Sequence, residues 1–314
     1  MVIKGNSLVS ICIPAYKNTS FLKRLLESLL QQTYTHFEVI LSDDSPDNTV
    51  KDFVSGYHDK LTIKYFKNNP ALGTPANWNF AMKQAEGAYI KLLHDDDWLA
   101  TSDALEQLVT ALEQNPAAGF VFSAYNNVYE DGKIEHVVLS DNQEASLRKE
   151  PLRLFIKNFI GHPSVILHRR NCGLWYDETI KWVVDFEAYI RVMREGQSFI
   201  YLNQPLLNIG LGKEQVTFQV FRKRAVELPE NIYLLNKLGI DILKNIWVYD
   251  YYWRFLRNLN IRSVQEIVEY VDEKEIPVQL KRMVAIQKLL PNSLLKIGVV
   301  SKFLMGISFL INRT

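Results

Sequence analysis

The chain has 314 residues, 47% of them hydrophobic and 23% charged, enough for one large or two modest domains with a real core. Lys plus Arg number 36 and Asp plus Glu 35, a balance that argues against a general nucleic-acid binder. Cys12 and Cys172 have no motif spacing, the start MVIKGNSLVSICIP has no signal-peptide pattern, and no stretch is a clean transmembrane span, so nothing demands an oxidising compartment.

Leu8–Ile13 is a short apolar run closed by Pro14 and reads as a buried strand. Asn18, Thr19 and Ser20 can cap the amphipathic helix that carries Phe21, Leu22, Leu25, Leu26, Leu29 and Leu30. Phe37–Leu41 is a second strand, Val50–Tyr57 a weak helix, Leu61–Phe66 a third strand and Ala76–Ala85 a helix. Ala88–Leu93, Ala104–Leu112 and Gly119–Ala124 continue as strand, helix and strand. This alternation of near-continuous apolar strands with helices predicts an α/β fold, a mostly parallel Rossmann-like sheet flanked by helices. The rhythm then changes. Asp131-Gly132 marks a hairpin, Leu152–Phe159 reads helical, Ser164–His168 extended and Asp185–Arg194 helical. Phe199–Leu202 and Leu206–Ile209 read as two short strands. Beyond about Val216 only helical patterns remain, at Pro229–Leu243, Ile246–Leu256, Val264–Val271, Val278–Leu290 and Leu294–Ile311. Two domains are expected: 1–215, the catalytic domain, and 216–314, a helical C-terminal region.

Three predicted strand ends carry unusual residues: Pro14-Ala15-Tyr16, Asp43-Asp44-Ser45 and Asp95-Asp96-Asp97. In an open parallel sheet, ligands bind outside these ends. Three adjacent carboxylates repel one another, and a bound cation is the simplest reason to hold them together. Asp95 and Asp97, one residue apart in an extended segment, point to one side and suit a shared ion. The alternative for each acidic stretch is a solvated turn. A ring for stacking, a carboxylate for a base N–H and acids for a metal together suit a nucleotide diphosphate.

The stretches SICIPAYKN, QQTYTHFEVILSDDSPDNT, NNPALGTPANWNFAMKQAEGAYIKLLHDDDW and YDETIKWVVDFEAYIRVMREG resemble, in order and spacing, the family 2 glycosyltransferases of the GT-A fold, over roughly residues 8 to 212. The resemblance implies inverting transfer of a sugar from a nucleotide-diphosphate sugar, a UDP-sugar first, to a hydroxyl of a glycan or lipid-linked glycan in bacterial surface polysaccharide synthesis. It implies that Pro14 and Tyr16 lie against the base and that Asp43 or Asp44 binds it. Asp95 and Asp97 become the DxD pair for Mn2+ or Mg2+, Asp95 and Asp96 also face the donor, and Asp185 is the general base. Trp98, His162 and Trp182 are candidates for the acceptor or donor sugar, each with a plain core or rim role as the alternative. Glu187 points elsewhere on the same helix and is expected to tolerate Gln. The sequence departs from the pattern at Ser45, where a Gly-containing loop is usual, and at His94, where an aspartate often opens the acidic motif. Lys213, in NIGLGKEQVT, stands where relatives place a basic group near the phosphates. Two rivals are a non-catalytic nucleotide-sugar or carbohydrate-binding protein, which could dispense with Asp185, and a sugar nucleotidyltransferase. The latter would want a Gly/Arg/Lys-rich loop after strand one, where this chain has Ala15-Tyr16-Lys17-Asn18.

After Glu275 there is no acidic residue, while Lys281, Arg282, Lys288, Lys296, Lys302 and Arg313 remain. Gly298, Ser301, Lys302, Ser308 and Asn312 share one stripe of the last apolar helix. Two placements are open: a membrane interface with that stripe toward anionic lipid, or docking on the protein's own core or in a homo-oligomer. The expected location is cytoplasmic, peripheral on the inner face of the cell membrane in the first case. Trp247, Tyr251 and Phe255 recur at helical spacing and suit core or self-association.

Overall fold

A computed structural model describes residues 7–212 and 222–312. The chain divides into two compact units, Met1–Lys149 with Phe159–Lys213, and Glu150–Asn158 with Glu214–Thr314. A single boundary near residue 215 therefore misses one excursion. Glu150–Asn158 belongs with the helical unit because Phe155 sets its ring against Tyr251 at 5.1 Å and Arg153 lies 4.9 Å from the Trp247 ring centroid. Tyr251 and Phe255 thus serve packing inside that unit, as their spacing suggested, while Trp247 is exposed and meets Arg153.

The first unit is built on a nine-stranded sheet. Strands β1 (Val9–Ala15), β2 (Phe37–Asp43), β3 (Ile63–Lys67) and β4 (Tyr89–Leu92) lie parallel in the order β3-β2-β1-β4. All seven residues of β1 are buried, which explains its unbroken apolar run: helices cover both faces. Helix α1 (Thr19–Leu30) follows; the Asn18 side chain accepts from the Phe21 N–H at 3.1 Å, and Leu22, Leu25, Leu26 and Leu29 are buried. The chain steps from β1 to β2 and β3, then returns to place β4 on the other side of β1. This reversal is the switch point at which such sheets open a crevice beyond their carboxyl ends.

The sheet then becomes mixed. Strand β6 (Ala118–Tyr129) pairs in parallel with β9 (Ser198–Leu211), and β8 (Ile166–Arg169) joins β4 and β6 antiparallel. The Asp131-Gly132 hairpin forms between β6 and β7 (Ile134–Val137), with Gly132 at φ +83°. The two short strands expected at 199–209 are one strand, because register shifts opposite Ala124 absorb Pro205 without ending the pairing. Two elements went unread. Trp98–Leu99 forms a two-residue strand, β5, on β9, too short for a period. Helix Asp141–Lys149 buries only Leu147, too little for an apolar stripe. The helix expected at 152–159 is a single 3-10 turn, Pro151–Phe155.

In the second unit, the helix expected from Pro229 begins earlier, at Arg224, and runs to Leu238; Gly239, at φ +91°, ends it. Helix Ile246–Asn258 buries Tyr249, Tyr252 and Trp253. The expected helix 294–311 is two pieces, Asn292–Leu295 and Gly298–Asn312. No helix among the described residues is long and apolar enough to cross a membrane.

Candidate active site

At the end of β1, Tyr16 is 54% exposed and its N–H donates to Asp95 Oδ2 at 3.1 Å. Pro14 precedes it within the strand. The ends of β1 and β4 are thereby tied together beside the switch point.

At the end of β2 the two aspartates differ. Asp43 has no exposed surface; its carboxylate accepts from the Ser45 N–H at 2.7 Å, the Tyr65 hydroxyl at 2.6 Å and Lys67 Nζ at 3.0 Å. Asp44 holds the following loop. It accepts from Asn68 Nδ2 at 2.8 Å, the Leu72 N–H at 3.1 Å and the Gly73 N–H at 2.8 Å. Both carboxylates thus have a structural task, and Ser45 has one too, accepting the Lys17 N–H at 2.8 Å. The turn chemistry weighed against base binding is present in full.

The acidic motif follows β4 in a tight turn closed by the Asp97 N–H on the His94 carbonyl at 3.1 Å. The turn sets Asp95 apart from the other two carboxylates. Asp95 turns toward Tyr16. Asp97 is buried; it accepts from the Gly210 N–H on β9 at 3.1 Å and from the Ser164 hydroxyl. Burial and then Asp96 push both carboxyls up, Asp95 to about 7 and Asp97 well above the usual carboxylate range. Buried Lys91, on β4, lies near enough to Asp97 to ease that rise. Its ammonium is bonded to the carbonyls of Ser164 and Ile166, and burial lowers it to about 7. The Asp96 carbonyl accepts Arg24 Nη2 at 2.7 Å, and the Arg24 guanidinium covers one face of Trp98 at 3.6 Å.

A shared ion was expected between Asp95 and Asp97. The structure gathers Asp97 with Asp96 and His94 instead, their ligating atoms all within 4.8 Å of one another. His94 Nε2 is buried with no hydrogen-bond partner, and burial holds its ring neutral, pushed down to about 3. A neutral imidazole lone pair beside two carboxylates is a donor set that fits a divalent cation. His94 N is fixed by Ser164 Oγ at 3.0 Å, so Ser164 touches Lys91, His94 and Asp97 at once. Lys91 was readable as a lone charge in an apolar strand. Ser164, Gly210 and Arg24 carried no signal in the sequence.

Asp185 lies in the first turn of the helix Val184–Arg194 and accepts from the Phe186 N–H at 2.8 Å. Its charge helps to raise three tyrosines, after burial: Tyr125 to about 12, and Tyr176 and Tyr189 well upward. One chain of rings runs from Tyr176 to the acidic motif, and a second contact joins Tyr125 to His162. Tyr176 packs on Trp78 at 5.2 Å and Trp78 on His94 at 4.6 Å. Tyr125 packs on His162 at 5.6 Å, and His162, lowered to about 4 by burial, in turn helps to keep His94 neutral. His162 thus packs on Tyr125 and lies near His94. Trp182 is half-buried, three residues before Asp185. Glu187 is not a tolerant surface position: it is wholly buried and pairs with Arg191 Nε at 3.1 Å. Arg191 in turn donates to the carbonyls of Gly173 and Trp175, holding the loop before the helix Val184–Arg194. Lys213 lies outside the described residues.

The description "Glycosyl transferase family 2" fits residues 10–172, just over half of the chain. Over 201 residues the chain is 28% identical to the uncharacterised protein MT1568 of Mycobacterium tuberculosis, covering 59% of this chain and 62% of that one. Over 261 residues it is 25% identical to chondroitin synthase of Escherichia coli, covering 82% of this chain and 36% of that one. The chain thus spans less than two thirds of each. A crystal structure of S. aureus TarS 1-349 in complex with UDP-GlcNAc has the same fold, with a TM-score of 0.65 at 16% identity over 98% of this chain and 89% of that one. The fold is GT-A, an α/β sheet flanked by helices, and the chain belongs to glycosyl transferase family 2.

Proposed function

We propose that this glycosyltransferase moves a sugar from a UDP-sugar, with inversion, to a hydroxyl of a glycan or lipid-linked glycan acceptor in surface polysaccharide synthesis. The observation that carries the reading is the cluster of His94, Asp96 and Asp97 just beyond β4, with a separate carboxylate, Asp185, close enough to Tyr125 and Tyr176 to help raise both, and Tyr176 joined to His94 through Trp78. A cation-fitting donor set follows a strand end, and a separate carboxylate lies in the first turn of a helix of the same unit. A bound Mn2+ or Mg2+ would neutralise charge on the diphosphate leaving group. The other tasks fall to the chain itself. Tyr16, exposed beside the switch point, offers its ring to the base. Asp43 and Asp44 hold the loop after β2, and Asp44, which keeps a little exposed surface where Asp43 has none, accepts a base N–H. Asp185 takes the proton of the acceptor hydroxyl as it attacks from the face opposite the diphosphate. One in-line displacement inverts the anomeric centre and needs no second carboxylate nucleophile. His162, Trp98 and Trp182 line the way for the sugars.

The chain's relation to chondroitin synthase and its fold shared with a UDP-GlcNAc complex support a UDP-sugar and a polysaccharide product. The test is UDP release from a panel of UDP-sugars with Mn2+ or Mg2+, with the anomeric configuration of the product read by NMR. Asp97→Asn should lose metal-dependent release. Retained configuration, or full release by Asp97→Asn in chelator, overturns the reading.

A further inference from the structure

The last helix is turned the opposite way from the membrane orientation its sequence suggested. Ser301, Ser308 and Asn312 of its small polar stripe face the protein, while Gly298 and Lys302 stay exposed. The Ser301 hydroxyl accepts from Trp253 Nε1 at 3.0 Å and Arg257 Nη1 at 2.9 Å. Ser308 and the Tyr249 hydroxyl share a 2.6 Å hydrogen bond, and Asn312 donates to Tyr249 at 2.7 Å. Met305 and Phe309 complete the buried face. The apolar face is left outside: Val299 is 82% exposed, Phe303 68% and Leu310 66%, with Ile307 and Ile311 beside them. A helix that spends its polar groups on its own protein and presents its largest apolar groups outward needs a partner.

Charge selects that partner. From residue 276 onward the sequence has six basic residues and no acidic one, and Lys288, Lys296 and Lys302 have no acidic partner among the described residues. Beside the helix lies a recess of about 360 Å³ lined by Arg222, Arg257, Asn258, Asn260, Asn292 and Lys296. Its three cations suit a phosphate group, Lys296 with no acidic partner among the described residues and Arg257 also bonded to Ser301 and Asn258. In a twofold self-contact each copy would set this basic patch against its own image, which costs energy. An anionic bilayer suits both the exposed apolar groups and the basic charge, with exposed Lys302 next to Phe303 on the helix.

We propose that helix Gly298–Asn312 and the adjoining recess form a docking surface for a bilayer containing anionic phospholipid. Val299, Phe303 and Leu310 enter the acyl boundary, and a headgroup phosphate sits in the recess. Docking places no span across the bilayer. It is independent of which sugar is moved, and its assay needs no turnover.

The test is flotation of the full chain with vesicles of phosphatidylcholine alone or mixed with phosphatidylglycerol. Wild type should float with the mixed vesicles and release at high salt. Combined Val299→Ser, Phe303→Ser and Leu310→Ser changes touch only exposed positions and should cut recovery on the order of tenfold or more. Lys296→Gln alone should weaken partitioning about fivefold. Equal recovery of wild type and the triple variant overturns the proposal. So does a salt-stable dimer, seen by sedimentation velocity, that the triple variant abolishes while vesicles bind neither protein. Displacement from vesicles by inorganic phosphate, with the triple variant floating like wild type, would make the recess a free-phosphate site and also overturn it.

Discussion

Gly210→Ala tests how the acidic motif is held. Gly210 sits on β9, and its N–H donates to Asp97. A Cβ there would lie 2.4 Å from the Asp96 carbonyl oxygen, 3.4 Å from its carbon and 3.1 Å from Arg24 Nη2. Carbon and oxygen rarely approach closer than about 3.3 Å, so either β9 or the motif must move by about 1 Å. The obstacle is backbone, and that carbonyl is already engaged by Arg24, so no flexible end can swing away. Overpacking of this kind costs about 1–3 kcal/mol, and lengthening the Gly210–Asp97 bond adds about 1 kcal/mol. A displacement of 1 Å at a reacting centre costs on the order of a hundredfold in rate. Chemical denaturation measures the first effect and UDP release under saturating donor the second. Gly306→Ala is the control: no atom lies within 4 Å of its Cβ, and inside a helix Ala should stabilise by about 0.5–1 kcal/mol. If Gly210→Ala keeps wild-type stability and turnover, the packing of β9 against the motif does not position it.

Three further outcomes follow from particular contacts. Asp185→Asn should keep stability and donor affinity, because Asn can still accept in the first helical turn, while turnover falls on the order of a hundredfold; near-normal UDP release would remove Asp185 as the base. Glu187→Gln should destabilise by about 1–3 kcal/mol in a denaturant titration, since it uncouples a buried carboxylate from Arg191; an unchanged midpoint would show that the pair contributes nothing. Asp95 rises from its ordinary 3.8 to about 7 in the fold, so the native state holds its proton longer than the unfolded chain. Its contribution to metal-free stability must fall as pH rises from about 4 to 7, by about 4 kcal/mol at most, less where water screens it. Neutral, buried His94, His162 and His168 act in the opposite sense over much of that range. The measurement is therefore the difference between wild type and Asp95→Asn in chelator, and a difference that does not change with pH would contradict the shift.

Much of this protein could be read without coordinates, for a physical reason. Strands buried on both faces must be continuously apolar, so β1 and β2 show themselves in VSICIPA and FEVILSD. Helix α1 buries one stripe and shows it every three to four residues. Where these patterns stop abruptly in carboxylates, a sheet edge with chemistry follows, and Asp95, Asp96, Asp97 and Asp185 stood out on that ground or by resemblance. Tertiary structure alone decided what each carboxylate faces. Asp95 turns to a backbone N–H 79 residues away. Asp97 meets Gly210 across 113 residues. His94 joins the cluster because the turn folds it back beside Asp96 and Asp97. None of these contacts has a period or a local propensity to announce it. The same holds for the last helix. Its sequence set polar groups on one stripe and apolar groups on the other, but only partners distant in sequence, Trp253, Arg257 and Tyr249, turned the polar stripe inward. A helix's amphipathicity is local, whereas the direction it faces is settled by whichever neighbour offers the better hydrogen bonds.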